Sequence, residues 1–468
     1  YVRPKMRGDL KNLESELKGQ NVEADINILR SDGGLMTIDT AESNPVYAIM
    51  SGPSGGVKGA LHIAKRAGYP NILTFDMGGT STDVALCMGE PTIARETTLG
   101  YFPVKIPSVD VRSVGAGGGS IAHVPELTKA LRVGPQSAGA DPGPACYGRG
   151  GTEPAVTDAN VVCGYLPPEL LGGEMSLDVE AAKEAVQMIA DATGLDLHDA
   201  AEGILKIVNE NMFGALRLVS VQQGFDPRDF ALMAFGGAGP LHGNALGELM
   251  GSYPVIVPPA PGLLCAMGDL SADFREEVAQ TYIRLASSVD KEELASLLEE
   301  LGAEATSRLN EEHIAEEKQA VEYSVDLRYY RQGYEIPITT TAADIRENGF
   351  ESLVAKFNEI HDRTYGFELD SEVEIVNARA VGVGEVTKIG LPEVEPGDAD
   401  PAAAFTGDHK IYRNGEWVDA KLYDRSKIAP GNIIEGPAIV TELDSTTVVL
   451  PGHTAEVDRY FNLLINPA

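Results

Sequence analysis

Cations are scarce in this sequence: 37 Lys and Arg stand against 70 Asp and Glu, for a formal net charge of −33. A nucleic-acid binder needs a basic footprint that displaces counterions, so the balance argues against nucleic acid as a partner, and against an anionic membrane surface too. Cysteine is equally sparse. Cys87, Cys146, Cys163 and Cys265 lie far apart with no C-x-x-C pair, which excludes a disulfide framework and a zinc ribbon and fits a reducing, cytoplasmic setting. No run approaches the ~18–20 apolar residues of a membrane span, and the opening residues show no signal-peptide pattern. No repeat of fixed length is found. On so acidic a chain, an anionic ligand would have to be met by backbone N–H groups, helix N-termini or a metal.

At 468 residues the chain exceeds one ordinary core, and two or three domains are expected. Met6, Leu10, Leu13 and Leu17 predict an amphipathic helix over 1–19. "YAIMSGPSGGVKGALHIAKRAG" reads as a short strand, a Gly/Pro loop and a helix from about Val57 to Ala67. "NILTFDMGG" follows as a strand with "STDVALCMG" as its return partner, and "FALMAFGGAGPLHGNALGELMG" repeats strand, glycine loop and helix; this alternation is the mark of an α/β layered domain. Residues 100–165 are long and irregular yet free of charge runs, which points to function rather than disorder. Helices resume after an N-cap at Ser176, and an acidic helix is expected over 289–315. The segment "GLPEVEPGDADPAAAF" reads as a linker before a run of short strands. The expected spans are a core over 1–275, an α+β extension over 276–393 and a small β-domain over 394–468.

Three glycine-based phosphate sites can be tested against the residues. A P-loop needs G-x-x-x-x-G-K-[ST]; "GPSGGVKGA" has Val57 where the second glycine belongs. A dinucleotide fingerprint needs G-x-G-x-x-G; the stretches from Gly115 and from Gly236 both lack the last glycine. A third arrangement sets an Asp at a strand end, a tight glycine turn and hydroxyl residues on the returning strand, so that turn N–H groups and hydroxyls grip phosphate while the Asp holds a metal. "FDMGGTSTDV" has that order, in Asp76, Gly78, Gly79, Thr80, Ser81, Thr82 and Asp83. A glycine-rich hairpin with capping hydroxyls would look the same.

Residues 76–83 resemble a phosphate hairpin of the actin and sugar-kinase ATPase superfamily, and "FGGAGPLHG" resembles its adenosine-binding glycine loop. Together with "RSVGAGGGSIA", "GADPGPACYGRGGTEPAVTDAN" and "EGPAIVTELDSTTVVLPG", the chain resembles the hydantoinase A/5-oxoprolinase family nearly end to end, a family that also includes a subunit of acetone and acetophenone carboxylases. The resemblance implies an actin-like (ribonuclease H-like) α/β ATPase fold with a mainly β C-terminal part. It further implies the C-terminal two-thirds of such a protein, without the N-terminal domain that carries a second phosphate hairpin.

What the resemblance implies for chemistry is ATP- and Mg²⁺-dependent opening of a cyclic amide. A lactam carbonyl is a poor electrophile, and phosphorylating its oxygen creates a leaving group that water can displace; a carboxylase-type reaction, or a catalytically incomplete interaction module, are the alternatives. On this reading Gly78, Gly79, Thr80, Ser81 and Thr82 cradle the phosphate. Asp76 holds the metal, and Asp83 either joins it or caps the returning strand. Gly236, Gly237 and Gly239 admit the nucleoside. Arg112 and Asp158 are catalytic candidates within 110–158, alongside Asp110, Asp141 and Cys146. Cys146, His123 and His242 can be drawn as a zinc site, but their spacing matches no known ligand pattern. The implied partners are a hydantoinase B-type subunit or domain and further copies of the chain.

Overall fold

The computed structural model describes residues 2–22, 24–99, 102–170, 173, 175–388, 390 and 392–468. The chain forms two compact units, Tyr1–Ser51 with Ser271–Lys388 and Gly52–Leu270 with Ile389–Ala468. The grouping departs from the three consecutive spans expected above, because the N-terminal residues join the middle of the chain and three C-terminal strands join the sheet that carries the glycine motifs, while Phe405–Arg413, Glu416–Asp424, Ala438–Thr441 and Thr446–Val449 form a four-stranded sheet within the same unit.

In the first unit a six-stranded sheet runs in the order Asn27–Leu29, Leu35–Thr37, Phe274–Leu285, Val373–Gly384, Gln319–Tyr329 and Ile336–Thr340. The helix Lys291–Glu311 carries Leu294, Leu298, Leu301 and Ala305 at three- and four-residue spacing, and these bury against Val325, Leu327, Ala378 and Ala380 of the sheet. Asp290 caps it, accepting from the amides of Glu292 and Glu293.

The second unit is built on an eight-stranded sheet. Its middle strands Val255–Val257, Ala231–Phe235 and Asn71–Met77 are parallel, and Thr82–Met88 and Arg112–Val114 extend one side antiparallel. On the other side stand Leu463–Pro467, His453–Val457 and Ile433–Glu435, so the expected small β-domain is not separate. Strand alternation sorts the core: Leu73, Phe75, Leu232 and Ala234 share one core with the helices Gly239–Met250 and Leu197–Val219 on one face, while Ile72, Met233 and Phe235 share another with the helix Ser51–Arg66. With both faces covered, the central strands are continuously apolar.

Two local readings change. The "GPSGGVKGA" stretch is helical from Ser51 onward, and its glycines serve close packing: a Cβ on Gly59 would lie 2.5 Å from the Leu264 carbonyl oxygen. Glycine normally disfavours helix, but here it lets the Leu264–Ser271 helix approach backbone to backbone. Ser176 lies in a short strand, and the helix Val179–Thr193 is capped by Asp178, which accepts from the Ala181 amide at 2.9 Å.

Candidate functional site

The hairpin forms as the residue pattern expects. Asn71–Met77 and Thr82–Met88 pair antiparallel with Asp76 opposite Asp83 and Met77 opposite Thr82, and the Gly78 amide donates to the Ser81 carbonyl at 3.1 Å. The turn's carbonyls are drawn away by the next glycine loop: the Gly118 amide donates to Gly78 O at 3.0 Å and the Gly119 amide to Gly79 O at 2.6 Å. The amides of Gly79, Thr80 and Ser81 have no hydrogen-bond partner among the described residues. Thr80 and Ser81 are exposed beside them. A turn with its N–H groups open and its carbonyls occupied is an anion nest.

A second glycine loop lies directly against the first strand's end. Gly236 has φ +80° and donates to Pro261 O at 3.0 Å, and a Cβ there would run into Asp76 Oδ1 and the Met77 carbonyl. The Ala238 amide donates to Met77 O at 2.9 Å, and the helix Gly239–Met250 starts there without a side-chain cap. Its uncapped N-terminus adds the Gly239 amide, since Pro240 has no N–H and the Leu241 amide donates to Ala238 O at 3.2 Å, and the positive end of the helix dipole.

Between these loops lies a cleft of about 320 Å³, lined by Gly78, Gly79, Gly118, Gly237 and Ala238 together with Tyr147, Arg149 and the hairpin Glu442–Thr446. That hairpin is pinned from below, since Ala260 N donates to Glu442 Oε1 at 2.9 Å and Gly262 N to Asp444 Oδ2 at 2.7 Å. Arg149 is exposed between the left-handed glycines Gly148 and Gly150 and makes no ion pair among the described residues, so it is a cation available to the cleft.

Asp76 is mostly buried, and desolvation pushes its carboxyl up to about 6; a Cys265 thiol 3.5 Å from Oδ2 opposes the rise and the neighbouring Asp83 adds to it. Asp83 is also raised by burial, against a hydrogen bond from the Ser113 hydroxyl. Two carboxylates opposed across a ladder with no cation beside them among the described residues are an unfavourable pair that a bound metal would relieve. No group of three or more His, Cys, Asp or Glu that could hold a metal exists among the described residues. Mg²⁺ needs only one or two carboxylates, with water and phosphate completing its shell, so the pair fits it.

Several candidates stand elsewhere. Thr82 is fully buried and its hydroxyl donates to Ala116 O at 2.5 Å, so it serves the core and not the nest. Arg112 is ion-paired to Asp110 at 3.2 Å and does not line the cleft. Asp158 has no exposed surface; its oxygens accept from the amides of Cys146 (2.8 Å), Ala155 (2.9 Å) and Ala145 (3.2 Å), which closes the loop onto the helix Val156–Val162. A carboxylate so enclosed organises backbone and cannot reach a reactant. Cys146 is a core residue whose thiol burial pushes up, and Asp141 is exposed. His242 is buried, with Nδ1 on Asn209 Oδ1 at 2.7 Å, Nε2 on Asn160 Nδ2 at 3.3 Å and a pKa lowered by desolvation to about 4. It is therefore neutral, with both nitrogens committed, and with His123 and Cys146 it forms no metal group.

Thr82→Val is expected to cost about 1 kcal/mol of stability for the lost hydrogen bond and to leave Mg·ATP affinity unchanged, in paired melting and titration experiments. Arg149→Ala should weaken Mg·ATP binding by about tenfold, the scale of one charge-assisted hydrogen bond, whereas Arg112→Ala should not change it.

Residues 1–278 match the hydantoinase/oxoprolinase family, and residues 285–465 match its C-terminal domain. The chain belongs to the hydantoinase/oxoprolinase family. It is 37% identical over 474 residues to an uncharacterized protein of Methanocaldococcus jannaschii, covering 98% of this chain and 68% of that protein. It is 33% identical over 467 residues to the caprolactamase subunit alpha of Pseudomonas jessenii, covering 98% and 67%. The ATP-dependent caprolactamase crystal structure from the same organism superposes with a TM-score of 0.90 at 31% identity, over 100% of this chain and 69% of the other, so this member of the hydantoinase/oxoprolinase family shares its fold. 5-oxoprolinase 1 of Arabidopsis thaliana is 30% identical over 486 residues; the match covers 99% of this chain but 38% of that protein. No helix among the described residues is long and apolar enough to cross a membrane.

Arg149 and the Glu442–Thr446 hairpin were not singled out from the residues alone. A usable signal existed for Arg149, an arginine held between two glycines in "YGRGG".

Proposed function

We propose that this chain is the ATP-dependent, phosphoryl-transferring part of a cyclic amide hydrolase, working with a B-type partner subunit and further copies of itself. The observation that carries the reading is the cleft walled by Gly78 and Gly79, where the turn that bears the unpartnered amides of Gly79, Thr80 and Ser81 adjoins an uncapped helix N-terminus and Arg149, with Asp76 at the end of the strand that enters the turn. Such a site compensates phosphate charge on a chain that otherwise repels it. Similarity to an ATP-dependent caprolactamase and to a 5-oxoprolinase supports a cyclic amide as the substrate class.

The amides of Gly79, Thr80 and Ser81 would hold the transferring phosphate, with the Thr80 and Ser81 hydroxyls as further donors. Gly236 and Gly237 admit the nucleotide close to the backbone, and Arg149 offsets charge on the phosphate oxygens. Asp76, with Asp83 beside it, would hold Mg²⁺ directly or through water, and the metal when bound lowers the electrostatic barrier to transfer. The amide oxygen would attack the γ-phosphorus as the bond to the β-phosphate breaks and ADP leaves; water then adds to the activated carbon, the C–N bond breaks with the nitrogen taking up a proton, and a second water at the acyl carbon of the resulting acyl phosphate releases inorganic phosphate.

The test is isotopic. With the partner subunit present and a lactam labelled with ¹⁸O at its carbonyl, the label should appear in inorganic phosphate. Label found only in the ring-opened carboxylate, with unlabelled phosphate, would contradict transfer to that oxygen followed by C–O cleavage.

A further inference from the structure

The glycines of "GPSGGVKGA" form no phosphate loop, yet their packing bears on Asp76 through a neighbouring helix. Gly55, Gly59 and Gly268 bring the helices Ser51–Arg66 and Leu264–Ser271 together backbone to backbone. A Cβ on Gly268 would run into the Gly55 carbonyl, and one on Gly59 would lie 3.0 Å from the Gly268 amide nitrogen. The second helix carries Cys265 in its first turn, and Gly56 leaves room for the sulfur, since a Cβ there would stand 3.1 Å from Sγ. The thiol donates to Asp76 Oδ2 at 3.5 Å, an ordinary length for sulfur. The other carboxylate oxygen, Oδ1, lies against Gly236, where any side chain would collide with it. The turn that leads into the Cys265 helix is tied to the same glycine loop, because Pro261 O accepts from Gly236 N at 3.0 Å. A carboxylate turns easily about its last side-chain bond, whose torsion is broad. Here one neighbour holds each oxygen. A thiol is a weak donor, so it fixes the direction of Oδ2 and leaves the carboxylate its charge for a cation.

We propose that Cys265 is a positioning residue for Asp76, and that the glycine packing of the two helices sets the place of its thiol. The inference rests on the reading of Asp76 as the metal-holding carboxylate, and it adds the group that orients that carboxylate. Cys265 takes no part in phosphoryl transfer itself; it acts through Asp76, as groups that hydrogen-bond a metal ligand do.

The experiment is titration of Mn²⁺ into the whole chain with ADP bound, followed by loss of the free-ion electron paramagnetic resonance signal, with metal-free ADP affinity measured beside it. Cys265→Ala should bind Mn²⁺ about tenfold more weakly, the scale of losing a partner that orients a metal ligand. Its metal-free ADP affinity should be unchanged, which also shows that the variant is folded. Cys265→Ser keeps a donor at that place and should bind Mn²⁺ more tightly than Cys265→Ala. Equal Mn²⁺ affinity in the wild type and Cys265→Ala, or no gain in Cys265→Ser, would overturn the proposal. A parallel loss of metal-free ADP affinity would overturn it too, because a merely structural role gives that result. Mn²⁺ binding in Asp76→Asn as tight as in the wild type would count instead against the metal reading of Asp76.

Discussion

Replacing Asp76 by asparagine is expected to lower ATP turnover by about a hundredfold or more with the fold unchanged, in line with the loss of one preorganised electrostatic contact in a phosphoryl-transfer site. The asparagine has the same shape, so it keeps the space under Gly236 and the contact with Cys265 but gives up the charge. The wild-type protein should pass through the same state on acidification. The Asp76 carboxyl titrates at about 6 in the fold against 3.8 ordinarily, so below pH 6 it is protonated and cannot hold a cation. The sign for stability runs the other way. A raised carboxyl pKa contributes stability that is fully present below pH 3.8 and lost as pH rises through about 6, because the ion is then left partly desolvated. Magnesium should restore that loss, so the Mg²⁺-induced rise in melting temperature should grow with pH through about 6 and be absent in Asp76→Asn. A pH-independent rise, equal in both proteins, would place the ion elsewhere.

Asp158→Ala should act on the fold. Three backbone amides would lose their acceptor inside the core, at about 1–3 kcal/mol each, so a loss of at least ~3 kcal/mol is expected. For a unit of about 300 residues that lowers the melting temperature by roughly 5 °C or more. Asp158→Asn should also destabilise, because its NH₂ would face N–H donors. A catalytic carboxylate would give the opposite pattern, with activity lost in Asp158→Asn and the melting temperature unchanged.

Much of the hairpin was legible because it is local. A strand of period two, an Asp at its end and two glycines before three hydroxyl residues specify a turn, its register and its open amides within ten residues. The same alternation separates Thr82 from its neighbours: it points inward with Val84 and Leu86, whereas Ser81 and Asp83 do not. Taking all three hydroxyls together overlooked that period. Asp158 stands at the third position of a helix, where a carboxylate commonly returns to cap backbone, so its structural role was also readable. The helix Ser51–Arg66 was not, since glycine normally disfavours helix and the packing of Gly59 against Leu264 and Gly268, and of Gly56 against Phe235 and Cys265, is not visible in the residues. Nor could the Glu442–Thr446 hairpin be assigned, because it reaches Gly237 from about 200 residues along the chain, through a Ser445 hydroxyl 3.4 Å from the Gly237 carbonyl. Non-local pairing of this kind leaves no periodicity to read.

The most direct measurement is a crystallographic difference map of the protein with Mg·ADP. The terminal phosphate should lie within hydrogen-bond reach of the Gly79, Thr80 and Ser81 amides, with Arg149 turned toward it and the metal beside Asp76. A nucleotide bound with its phosphates outside the cleft between Gly78–Gly79 and Gly237–Ala238 would contradict the assignment of that cleft to phosphate.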